Sequence, residues 1–464
     1  MATFSIENFG CRVTHADAAA IERQMLDSGL VRVAEHRDAE IVVLNTCTVT
    51  AAADAQARDA IRHIHSRNQS ARILVTGCYA QRAPEELACL AGVEWVVGNS
   101  HQSQIPDLAA APRSETLAGR AESSNFVSVA TLADGELSLA RGPAKILTGD
   151  IFLQPSVLVV PSGGLETGRT RPTLKIQDGC NNRCSYCVIP FVRGRSRSLE
   201  PDRAILEIER LVAAGAREVV LSGINLGSYG RDLSPRVSLE SLLRRAISET
   251  SLERLRLSSI EPMDVTQDFV ELIAAEDRFA PHFHMPLQSA ADKILRAMHR
   301  WYRAAHYERR IEIIRSLLPD AAIGADVIVG FPGESGSDFH ETLDFVERLP
   351  FTYLHVFSFS ARPGTPAETL GDAVLPGEIR ERARQLRAVG QKKVADFRAA
   401  QAGRTLRALT LLRKGPGWTE ALTGNYLKVR VAGDWPANRW LEVGVTPDNA
   451  LAIARPPSGR LRQP

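Results

Sequence analysis

No apolar run in the 464 residues approaches the ~18 consecutive positions that a bilayer-spanning helix needs, so an integral membrane protein is not expected. Charge of one sign is also missing: 56 Lys and Arg stand against 54 Asp and Glu. The charged fraction of 24% is ordinary for a folded protein, which excludes global disorder. The opening Met1–Glu7 lacks the basic-then-apolar pattern of a signal peptide, and a cytoplasmic address is expected. In that compartment thiols stay reduced, so the seven cysteines do not read as a disulfide framework.

The near-zero total hides an asymmetry. Residues 392–464 hold 13 basic and 5 acidic side chains, a net +8, against −6 for the rest of the chain. A basic C-terminal module on a mildly acidic body suits a polyanion such as nucleic acid, or is simply a solvated basic surface.

Four segments follow from the patterning. In residues 1–111, the β-branched runs Ala39–Leu44 and Ala71–Val75 flank an Ala-rich helix at Ala51–His65. A further helix is predicted over Ala18–Ser28, stopped at Gly29; together these make a parallel α/β domain. Residues 112–165 lose the alternation and read as a linker or irregular excursion, punctuated by Gly142-Pro143 and by Pro161 through Gly164. Residues 166–397 carry strand candidates at Thr173–Gln177, Arg217–Ser222, Arg254–Ser259, His282–Pro286, Ile323–Val329 and Tyr353–Phe359. Six strand-then-helix units fit a partial β/α, TIM-like barrel. Residues 398–464 alternate with period two, most clearly over Asn425–Val431, as in a small antiparallel β-barrel of the oligonucleotide-binding style.

The cysteines fall into two groups. Cys180, Cys184 and Cys187 form Cys-x3-Cys-x2-Cys in the loop after the first barrel strand. Three thiolates on one short loop can hold three irons of a [4Fe–4S] cube and leave the fourth open. Zinc would want a fourth ligand, which is absent nearby in sequence, or an open site with a catalytic water. Cys11, Cys47 and Cys78 each follow a predicted strand, 36 and 31 residues apart, about one βαβ repeat each. In a parallel sheet those strand ends share one edge, where α/β folds bind ligands. The competing account is three unrelated buried cysteines. Cys89 is expected mid-helix as a buried small apolar residue, and His284 and His299 as ordinary residues.

The Cys180–Cys187 motif resembles that of the radical S-adenosylmethionine (SAM) superfamily. Taken with Gly10-Cys11-Arg12-Val13, Asn45-Thr46-Cys47-Thr48, Gly77-Cys78-Tyr79, Arg193-Gly194-Arg195 and Asp326 through Glu334, the chain resembles the radical-SAM methylthiotransferases. Thr48-Val49-Thr50, Gly77-Cys78-Tyr79 and Gly424 through Val429 are most similar to the branch acting on N6-threonylcarbamoyladenosine at tRNA position 37. Thr14 and Ala290-Ala291 depart from the family pattern, which usually has Asn and Gly-Ser there.

The resemblance implies an N-terminal α/β domain, a radical-SAM partial barrel and a C-terminal RNA-binding TRAM barrel. It implies two [4Fe–4S] clusters: an auxiliary one on Cys11, Cys47 and Cys78, and a SAM-binding one on Cys180, Cys184 and Cys187. The second would reduce SAM to give a 5′-deoxyadenosyl radical that attacks C2 of the base. A second SAM would methylate sulfide carried by the auxiliary cluster. Tyr186, Gly223, Asn225, Glu261 and Gln288 are candidates to cradle SAM, the four strand-end residues being equally readable as structural. Arg193 and Arg197 are candidates to face the anionic substrate, or form a solvated basic loop; Tyr426, Lys428 and Arg430 are candidates for RNA contact. Expected partners are a tRNA anticodon stem-loop and an electron donor of the flavodoxin or ferredoxin kind, with the sulfur donor unassigned. Two further readings stay open: a methylthiotransferase for N6-isopentenyladenosine or a ribosomal protein, and a non-catalytic, metal-stabilised RNA-binding protein.

Overall fold

The computed structural model describes residues 2–111, 137–138, 144–153, 170–448 and 450–457. The expected linker at 112–165 therefore lies largely outside the described residues. These residues divide into two compact units: those within Met1–Ser162, Asp178–Asn182 and Cys187–Arg197, and those within Gly163–Gln177, Arg183–Tyr186 and Ser198–Pro464.

In the first unit a sheet runs in the spatial order Val31–Arg32, Thr3–Asn8, Ile41–Thr46, Arg72–Gly77, Val93–Val97, Lys145–Leu147, Leu137–Ser138. Every pairing is parallel except the last, at the edge. Because successive strand residues point to opposite faces, Val42 and Leu44 pack with Ala57, Ile61 and Ile64 of the helix Ala51–Arg67. Ile41 and Val43 pack on the other face with Ile21 and Met25 of the helix Arg12–Asp27. Both faces are thus apolar, as the β-branched runs require.

Two expectations are corrected here. The first helix begins at Arg12 rather than Ala18, because extended Cys11 serves as its N-cap and the Thr14 hydroxyl donates to the Cys11 carbonyl at 2.7 Å. Cys89 is not mid-helix and not buried. The helix Pro84–Ala88 ends just before it, and Cys89 is an exposed cap residue.

In the second unit all six expected barrel strands form. Thr173–Lys175, Glu218–Ser222 and Arg254–Leu257 pair in parallel, as do His282–His284, Ala322–Val329 and Tyr353–Ser358. The parallel bridges Leu255 to Phe279 and Ser259 to His284 join the two triplets. The C-terminal five-stranded antiparallel sheet has the order Lys428–Ala432, Trp418–Thr423, Thr405–Gly415, Trp440–Gly444, Ala454–Arg455.

The sheet docks on the barrel within the same unit. Glu218, fully buried, accepts from Arg254 Nε at 2.6 Å, Arg256 Nε at 2.7 Å and Arg171 Nη1 at 3.3 Å. The same arginines reach into the C-terminal sheet. Arg254 donates to the Leu422 carbonyl, and Arg256 to those of Thr423 and Gly424. Arg254 also lies 4.3 Å above the Trp440 ring and Arg256 5.4 Å above that of Tyr426.

Candidate active site

Cys11, Cys47 and Cys78 follow three adjacent parallel strands whose register pairs Asn8 with Asn45 and Thr46 with Gly77, so all three lie along one sheet edge. The backbone there leaves no room for side chains. Gly10 has φ +114°, and a Cβ on it would lie 2.5 Å from Cys47 Cβ and 3.0 Å from its Sγ. Gly77, at φ +98°, would place a Cβ 2.3 Å from the Thr46 carbonyl oxygen. Thr48 and Arg82 fix the loops after Cys47 and Cys78 to each other through Asp54: Thr48 Oγ1 donates to Asp54 at 2.7 Å, Arg82 to Thr48 at 2.8 Å and to Asp54 at 3.1 Å. Nothing in the local sequence signals that network.

Burial pushes the Cys47 thiol up to about 12, with the neighbouring sulfurs of Cys78 and Cys11 adding to the rise. Burial also raises Cys78, against the nearby Arg193 guanidinium, which lowers it.

Arg193 was expected to face an anionic substrate. The structure instead buries it at 2% exposure among fixed partners. Its Nε donates to Cys78 Sγ at 3.2 Å, Nη1 to Asp178 at 3.0 Å and Nη2 to Asp17 at 2.8 Å. Arg197 is half-buried, with its Nη2 donating to the Arg193 carbonyl at 2.9 Å.

The Cys180–Cys187 loop is irregular in backbone and held at several points. The Cys180 N–H donates to the Gly194 carbonyl at 3.1 Å, and the Asn182 N–H to Cys180 Sγ at 3.4 Å. Ser185 bonds through its N–H to the Met298 carbonyl and through its hydroxyl to that of Ala297. Cys184 Sγ accepts from Arg300 Nη1 at 3.4 Å, and Arg300 is ion-paired with Glu261. Nothing in the local sequence marks Arg300, because only folding brings it to a residue 116 positions away. Tyr186 packs edge-on against Phe331, with ring centroids 6.4 Å apart.

Gly223 and Asn225 follow the second barrel strand, Glu261 the third and Gln288 the fourth, so all four stand at C-terminal strand ends. A Cβ on Gly223 would lie 2.8 Å from Gln177 Oε1, and the Asn225 N–H donates to that same oxygen at 2.7 Å. Gln288 holds φ +63°, a conformation that costs a non-glycine residue and persists only where surroundings enforce it. Its N–H donates to the Asp326 carbonyl at 2.8 Å.

His284, read from sequence as ordinary, belongs to a network. Its Nε2 lies 3.0 Å from Asp326 Oδ1, and His355 Nδ1 lies 3.1 Å from the same oxygen. The Tyr353 hydroxyl bonds His284 Nδ1 at 2.9 Å and His282 Nε2 at 2.8 Å. Burial alone would raise the Asp326 carboxyl, but the two imidazole hydrogen bonds outweigh it and hold it well below the usual range. On the C-terminal sheet, Tyr426 stacks on His282 with centroids 4.2 Å apart and so faces the barrel. Lys428 and Arg430 are exposed, Arg430 lying 4.9 Å above the Trp418 ring.

Residues 3–98 match the family described as "Uncharacterized protein family UPF0004", and residues 174–346 match the radical SAM superfamily. The chain is 36% identical to the threonylcarbamoyladenosine tRNA methylthiotransferase MtaB of Aquifex aeolicus, across 92% of this chain and 96% of that one. The chain belongs to the radical SAM methylthiotransferase family. The MtaB of Bacillus subtilis is 34% identical over 86% of this chain and 82% of its own length. A tRNA-2-methylthio-N(6)-dimethylallyladenosine synthase of Kineococcus radiotolerans is 33% identical over 97% and 84%. Among solved structures, the radical SAM methyltransferase TsrM of Kitasatospora setae aligns over 90% of this chain and 80% of its own, with TM-score 0.56 and 16% identity. That likeness is one of fold. Membership makes this an enzyme, and its superfamily works with SAM and a [4Fe–4S] cluster. No described helix is long and apolar enough to cross a membrane.

Proposed function

We propose that this enzyme adds a methylthio group to C2 of N6-threonylcarbamoyladenosine at position 37 of tRNA, with two [4Fe–4S] clusters and two SAM per turnover. Cys180, Cys184 and Cys187 hold the SAM-binding cluster; Cys11, Cys47 and Cys78 hold the auxiliary one. The observation that carries this reading is the placement of the latter three at adjacent strand ends, with Gly10 leaving room for the Cys47 side chain beside it.

The aromatic C–H at C2 is too weak an acid for any side-chain base, and the clusters with SAM supply the radical chemistry it needs. The chain's part is orientation. Glu261 fixes Arg300, whose N–H reaches Cys184 Sγ, while Gly223, Asn225 and Gln288 present strand-end backbone and amide groups to SAM. Lys428 and Arg430 are exposed and offer phosphate contacts to RNA, and Trp418, beside Arg430, offers a ring for stacking. The threonylcarbamoyl branch is supported by the names of the relatives in A. aeolicus and B. subtilis. A pocket for its carboxylate must supply a cation, and Arg193, already matched by two carboxylates, is not that group.

The test offers anaerobically reconstituted enzyme, with SAM and reductant, two anticodon stem-loops that differ only in the N6 group. Preferential methylthiolation of the threonylcarbamoyl substrate is expected. Preference for the isopentenyl substrate overturns the branch and leaves the family standing.

A further inference from the structure

We propose that Arg193 sets the reduction potential of the auxiliary cluster, acting as a positioning and charge-balancing residue through Cys78 rather than as a substrate contact. This rests on the reading that Cys11, Cys47 and Cys78 hold that cluster. The guanidinium is fully committed: Nε to Cys78 Sγ, Nη1 to Asp178, Nη2 to Asp17. Asp17 comes from the helix capped by Cys11, and Asp178 stands two residues before Cys180. The next residue along, Gly194, accepts the Cys180 N–H through its carbonyl. One turn of chain therefore bonds a sulfur of one cysteine group and the backbone of the other.

The physical consequence is a signed one. A buried cation donating to a cluster sulfur stabilises the reduced, more negative state and raises the potential; buried carboxylates nearby lower it. One cation stands against two acids, so the balance shifts in opposite directions when either side is removed. Asn99 Nδ2 lies 3.6 Å from the same sulfur and donates at 2.8 Å to the Val192 carbonyl, holding the Arg193 helix beside Cys78.

The experiment is an EPR-monitored redox titration, without SAM, of full-length, anaerobically reconstituted wild type, Arg193→Met and Asp17→Asn. The signal that is lost when Cys180, Cys184 and Cys187 are replaced with Ala marks the other cluster and serves as internal reference. For the remaining signal, Arg193→Met is expected to shift the reduction equilibrium at least tenfold toward the oxidised form, ~59 mV for one electron. Asp17→Asn is expected to shift it the opposite way, and the reference to stay put in both. Equal potentials in all three proteins, or shifts of the same sign, overturn the proposal. If Arg193→Met fails to retain iron, Asp17→Asn decides alone: no upward shift overturns it. Wild-type protein holding about four irons rather than about eight would instead refute the two-cluster reading beneath it.

Discussion

Glu218→Gln is the substitution whose outcome the structure constrains most tightly. The carboxylate is completely buried, and burial alone would raise its pKa; Arg254 and Arg256, with Arg171 behind them, overcome that and hold it well below the usual range. Glutamine keeps the shape and can still accept a hydrogen bond, but it leaves Arg254 and Arg256 buried without their counter-charge. Breaking a buried ion pair from one side costs about 3–5 kcal/mol. The ring contacts with Trp440 and Tyr426 and the three carbonyls of residues 422–424 stay in place, so the lower half of that range is expected. For a unit of 286 residues the shift lies at the low end, about 2 °C per kcal/mol, so the thermal transition should fall by about 6–8 °C. The assay is differential scanning calorimetry of wild type and variant, with limited proteolysis below the transition to ask whether the C-terminal sheet is released first. A shift under ~2 °C with an unchanged cleavage pattern would refute the claim that Glu218 anchors the sheet to the barrel.

Gly10→Ala is expected to displace Cys47 and to drop bound iron by about half after anaerobic reconstitution, with the Cys180–Cys187 cluster and its SAM cleavage retained. Acid should destabilise the second unit through Glu218 and Asp326. Both have depressed folded-state pKa values, so their stabilisation is complete above about pH 5 and is lost as the pH falls through and below the unfolded-chain values of ~4.3 and ~3.9. Denaturation midpoints measured from pH 7 to pH 3 should show this, with a shallower fall in Glu218→Gln. Replacing Lys428 and Arg430 together with Ala should weaken tRNA binding and reduce the salt slope of log K by roughly 1.5–2, read by filter binding across a salt series. These point changes test the RNA surface better than deletion of residues 404–464, which would strip Arg254 and Arg256 of their carbonyl acceptors.

The six barrel strands and the three strand-end cysteines were legible in the sequence because period, β-branching and spacing are local signals that tertiary packing here reinforces. Contacts between distant charges were not. Asp17 and Arg193 lie 176 residues apart, and nothing at either position distinguishes a buried pair from two solvated side chains. The same holds for Glu218, which sits in a strand that otherwise reads as apolar. Cys89 misled because Glu85–Leu90 has helical composition, while the helix from Pro84 ends at Ala88. His284 looked solitary because its partners Asp326 and His355 arrive from two later strands paired in register.

The central claim is tested most directly by mass spectrometry of tRNA nucleosides from cells with and without this chain. The account predicts that cells lacking it lose 2-methylthio-N6-threonylcarbamoyladenosine while accumulating N6-threonylcarbamoyladenosine, and that the intact gene restores the modified form but a version with Cys11, Cys47 and Cys78 replaced by Ala does not. Unchanged levels of the methylthiolated nucleoside in the deleted cells, or full restoration by the triple-alanine version, would contradict it.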